Sequence, residues 1–163
     1  MDALKSLLSD FDLANLLPDL TTVIGWVATA LRLAVLAGPI LTLVLGLVYF
    51  FKPPQEANHS FGFRCYFGMG STSAWKYTQR LAGMILAPLG LILTIVMFFL
   101  ISRYADMAPD DMVFSAVKSI LWEIGLIAAA YIAINVMVAV NFDRFGNPRH
   151  PEKANHPKKT TKK

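Results

Sequence analysis

Two groups of residues carry most of the chemical character in this chain. The first is Asn58, Gly62, Arg64, Trp75, Gln79 and Arg80, within the stretch NHSFGFRCYFGMGSTSAWKYTQRLAG at Asn58–Gly83. An arginine fork there is matched to a phosphate or carboxylate. A lipid phosphate, Glu56, Asp143 or the acidic group of a ligand would all suit Arg64, and so would a self-contained loop clasp. The second group is Arg32, Arg103 and Glu123, which flank or interrupt long apolar runs. Ionisable groups at such positions either pair with each other, snorkel to an interface, or form a polar site.

The elements that must position these residues are read from hydropathy. Of the 163 residues, 55% are apolar and only 16% charged, with a mean hydropathy of +0.50. Crossing a hydrocarbon core takes roughly 20 apolar residues of helix. Leu33–Phe51 and Leu81–Ile101 contain no charge, and Ile124–Val140 forms a third run. The expected fold is therefore an all-α membrane protein with three transmembrane helices, at about 23–51, 81–101 and 120–141. Residues 19–142 form its membrane domain.

The segments outside the spans have their own patterns. In residues 1–18, Leu4, Leu7, Leu8 and Phe11 recur at helical spacing with Asp2, Lys5, Ser9 and Asp12 off the stripe, which predicts an N-terminal amphipathic helix. Residues 143–163 are rich in lysine and proline and are expected to be a basic, disordered tail resting on anionic lipid. Four basic residues fall in the first loop and seven in the tail, eleven of the fifteen in the chain. The positive-inside rule then places loop and tail in the cytoplasm and the N-terminus outside. Arg32, Arg103 and Glu123 would share one level near the outer interface, with Arg32 and Glu123 forming a pair.

Several function classes drop out. The single cysteine, Cys65, precludes a disulfide framework or a thiolate metal site within one chain. His59, His150 and His156 all lie outside the spans, so a bis-histidine haem has no ligands. Paired intramembrane carboxylates and a Ser/His or Cys/His constellation at membrane depth are also lacking. The expectation is binding rather than catalysis, with no cofactor, no metal and no nucleic acid.

The loop itself reads as a built structure. Pro53 and Pro54 close the first helix because neither donates a backbone hydrogen bond. Phe61, Phe63, Tyr66 and Phe67 suit the head-group interface, and Gly62, Gly68 and Gly70 permit close backbone approach. Ser71, Thr72 and Ser73 offer cap oxygens for a helix that carries Trp75 and Gln79 directly into the second span.

The spacing of Asn58, Gly62, Arg64, Ser71, Trp75, Gln79, Arg80 and Gly83 resembles that of the SdpI family of small bacterial membrane proteins. The resemblance covers roughly residues 33–140 and departs at Cys65, Gly68 and Ala74. It implies a bacterial inner-membrane protein of immunity or signalling type, acting by binding a peptide toxin or a cytoplasmic regulator. An accessory subunit of a larger membrane complex or transporter is the alternative.

Overall fold

The computed structural model describes residues 20–56 and 61–149. The expected amphipathic helix at 1–18, Asn58, and the tail from 150 onward lie outside the described residues. Within them the chain is all-helical, with three helices long and apolar enough to span a membrane. Helix α1 is Leu20–Phe51, α2 is Thr72–Arg103 and α3 is Pro109–Asn141.

Each boundary has a local cause. At the end of α1, Lys52 N–H still reaches the Val48 carbonyl at 2.8 Å. Pro53 and Pro54 cannot continue that ladder. Helix α2 starts where Ser71, in extended conformation, accepts a 3.1 Å bond from Ala74 N–H, so one of the three offered hydroxyls is the cap. It ends in a 3₁₀ turn, Tyr104–Asp106. Helix α3 begins with Pro109, followed by Asp110 and Asp111 in its first turn. Proline at that position loses no helix bond, and the acids favour the positive helix end.

The third helix is thus some ten residues longer at its start than the expected 120–141. Asp110, Asp111 and Lys118 lower the hydropathy there, but the packing stripe continues unbroken. Met112, Ala116, Ser119, Glu123, Ile134 and Val138 are all buried, at helical spacings of three, four and their sums. Pro39 and Pro88 both lie inside their helices, which run on through them.

Helices α1 and α2 form the closest pair, and α3 packs less extensively on both. Glycines explain the difference. A methyl on Gly90 would strike the backbone of Leu43, one on Gly46 the backbone of Ala87, and one on Gly83 the backbone of Phe50. Small residues let transmembrane backbones approach, which matters because lipid supplies no hydrophobic drive between helices. The outward surface is broadly apolar, with Trp26, Phe98, Phe114 and Trp122 exposed.

Candidate functional site

The stretch between α1 and α2 folds into a clasp over the end of the bundle. Gly62 has φ +132°, a backbone conformation that side chains rarely adopt. A methyl there would also meet the Trp75 ring at 2.6 Å. The glycine therefore lets the chain turn directly over the indole. Trp75 is fully buried, and its Nε1–H donates to the Pro54 carbonyl at 2.9 Å. One ring thus ties the end of α1 to the start of α2.

Gln79, one turn further along α2, is also fully buried. Its Oε1 accepts from Phe63 N–H at 2.8 Å and its Nε2 donates to the Phe63 carbonyl at 2.7 Å. Phe63 is buried and stacks at a tilt on Tyr131 of α3, with ring centroids 5.1 Å apart. The Tyr131 hydroxyl donates to the Arg64 carbonyl at 3.3 Å. The clasp thereby reaches all three helices.

Cys65 is one of the positions at which the sequence departs from the family pattern. Its thiol is buried and accepts from Gly68 N–H at 3.2 Å, so sulfur fills a turn-closing acceptor position. Thr78 packs beside it, its hydroxyl donating to the Ala74 carbonyl at 2.8 Å. A methyl on Gly68 would strike both side chains.

The first residues of the tail belong to this site, which corrects the expectation of disorder from residue 143. Asp143 Oδ1 accepts from Phe145 N–H at 2.9 Å and Asn147 N–H at 2.8 Å. Gly146, at φ +77°, closes the turn, and Phe142 bridges antiparallel to Pro148. This turn docks on the clasp, with Ser71 Oγ donating to the Gly146 carbonyl at 2.7 Å. Asn141 Nδ2 also donates to the Tyr77 hydroxyl at 3.2 Å. The Asp-x-x-Gly-Asn-Pro string is a turn signal, masked in the sequence by the lysines and prolines that follow.

The predicted binding set therefore divides. Gly62, Trp75 and Gln79 are interior to the clasp and hold it together. Arg64 and Arg80 are exposed. Arg80 and Lys76 line a surface cleft of about 310 Å³ with Pro53, Gln55 and Tyr77.

The second set, at the other end, is dispersed. Arg103 is exposed at the end of α2. Glu123 is only 4% exposed and its carboxyl presses on Gly38, where a methyl would collide with Oε1. Gly38 lies six residues beyond Arg32, about 9 Å deeper along α1. Among the described residues no ion pair joins Arg32 to Glu123, and Arg32 Nε is buried without a hydrogen-bond partner. The expected Arg32–Glu123 pair is thus not formed. The cause is packing: the stripe that carries Glu123 seats it where α1 offers a glycine.

These elements coincide with a family model. The model for the SdpI/YfhL protein family matches residues 55–140, from the residue after Pro54 to the last turn of α3. No curated protein and no solved structure matches the chain. The match takes in the clasp, α2 and α3, which is more than half of the sequence. With its three spans, the chain is a multi-pass membrane protein belonging to the SdpI/YfhL family.

Proposed function

We propose that this protein is a non-enzymatic component of a bacterial cytoplasmic membrane, acting in immunity or signalling by binding. The clasp end lies in the cytoplasm with the basic tail near anionic lipid, and the N-terminus lies outside. A regulatory partner is held at the clasp, and a peptide toxin is met on the opposite face.

One observation carries the reading. The interior polar groups of the clasp engage one another, while Lys76 and Arg80 are exposed beside a cleft. A loop needed only to connect two helices has no use for so determined a platform. Basic side chains on a rigid support suit an acidic partner, because complementary potential steers association and suppresses wrong partners.

The test uses the full-length protein in native membranes. Lys76→Glu with Arg80→Glu is expected to abolish recovery of the cytoplasmic partner while leaving thermal stability unchanged. Expression of the wild type is expected to protect cells from a membrane-active peptide. Equal recovery from both forms, together with no protection, would sink the proposal.

The weaker packing of α3 on the α1–α2 pair supports a second reading, an accessory subunit of a larger membrane complex. Detergent extraction as a single species without co-purifying subunits counts against it.

A further inference from the structure

Glu123 is the only acidic or basic side chain in the buried set of the described residues. Its depth follows from the packing. Gly90 of α2 lies against Leu43 of α1, near the middle of the uncharged stretches of both helices. Gly38 is five residues from Leu43, about 7 Å of helix rise. The hydrocarbon half-thickness is about 15 Å, so the carboxyl that touches Gly38 sits within the apolar slab.

Among the described residues no hydrogen bond or ion pair holds this carboxyl. Pro39 has no N–H, and the Gly38 carbonyl already accepts from the Thr42 hydroxyl at 2.9 Å. The buried positions of α2 towards this end, Leu93 and Met97, are apolar. Arg32 lies six residues before Gly38, about 9 Å of helix rise, and among the described residues its Nε has no hydrogen-bond partner. Lys118 and Arg103 are exposed, as are Asp106, Asp110 and Asp111 at the helix ends. An isolated ionised carboxylate in such a medium is far costlier than a neutral acid.

We infer that Glu123 is a proton-binding site, occupied in the packed bundle, and that releasing its proton loosens α3 from α1. Release breaks the carboxyl O–H bond and passes the proton to water at the end opposite the clasp. Ser119, one turn nearer that end on the same face, shares a 3.2 Å hydrogen bond with the buried Tyr104 hydroxyl. The carboxylate left behind cannot stay against Gly38. The cation on α1 is Arg32, with its buried, unpartnered Nε, so ionisation draws Glu123 away from its glycine seat. The inference is independent of which partner the clasp holds.

The experiment is infrared difference spectroscopy of full-length wild type against Glu123→Gln in lipid vesicles, across a pH series. Wild type is expected to show the carbonyl stretch of a protonated carboxyl at neutral pH, absent in the variant. Arg32→Gln is expected to retain it. If Glu123→Gln does not fold, carbon-13 glutamate in the wild type identifies the band, since the chain has only three glutamates and Glu56 is exposed. A carboxylate signal alone at neutral pH, or a protonated band appearing only in Arg32→Gln, overturns the proton site. Spin-label distances between α1 and α3 test the coupling. They should lengthen with pH in wild type and stay constant in Glu123→Gln, and a pH-independent wild-type distance overturns the coupling.

Discussion

The side-chain amide of Gln79 pairs with both backbone groups of Phe63, accepting at 2.8 Å and donating at 2.7 Å. It meets that residue as a neighbouring strand would, with both bonds exchanged. A helix thereby satisfies a loop that has no strand partner. Gln79→Ala removes both bonds and leaves two buried backbone groups unpaired, each costing about 1–3 kcal/mol. Thermal unfolding in detergent should report a loss of about 2–6 kcal/mol in total. Gln79→Glu, which sets a buried carboxylate against the Phe63 carbonyl, should destabilise at least as much as Gln79→Ala.

The turn over the indole makes Gly62 and Trp75 a unit. Gly62→Ala combines a forbidden backbone conformation with a ring collision, and should destabilise the clasp by about 2–5 kcal/mol. Trp75→Phe keeps most of the ring but loses the bond to Pro54, for about 1 kcal/mol. Tryptophan fluorescence alone is ambiguous with three such residues, so amide exchange at 61–68 is the suitable readout. Equal protection in Gly62→Ala and wild type would contradict the account.

Backbone contact at Gly90 sets the spacing of α1 and α2. Gly90→Val should force the helices apart, since the colliding atoms belong to the Leu43 main chain rather than to a flexible side chain. Leu47 and Met84 line one surface groove between the two helices. Spin labels at Leu47→Cys and Met84→Cys should lie closer in the parent than in the Gly90→Val background. An unchanged label distance would show that the contact does not determine the spacing.

The Asp143 turn is expected to be sensitive to acid. The backbone N–H of Asn147 is the main cause holding the Asp143 carboxyl below its usual range, with the Asn147 side chain, Phe145 N–H and Arg149 adding to it. A carboxylate with a lowered folded value binds protons less readily folded than unfolded. Its support for the turn is therefore complete above the ordinary carboxylate range. It fades as pH falls through that range and is gone below the lowered folded value. Amide exchange at Phe145 and Asn147 should accelerate on that descent, and Asp143→Asn should be flat over the same interval.

Hydropathy alone was enough for the three spans, because crossing hydrocarbon demands a length and apolarity that few other structures need. The family pattern was legible for a related reason. Gly62, Trp75 and Gln79 each meet a local backbone requirement that few residue types satisfy, so their spacing survives as text. The start of α3 was less legible. Asp110, Asp111 and Lys118 lower the hydropathy of the first turns of α3, although the packing stripe runs straight through them.

What the sequence by itself determined is the class of the protein, its spans, and the residues that build its loop. Only the tertiary structure decided their duties. Trp75 and Gln79, read as candidates for a ligand, are committed to Pro54 and Phe63, while Arg64 and Arg80 remain on the surface. Asp143 folds a turn onto Ser71 and Gly70 across a long stretch of chain. Glu123 meets Gly38 rather than Arg32. In each case the outcome depends on which helix faces come together and at what height. Glycine contacts between backbones set that height, and neither composition nor spacing along one strand of text encodes it.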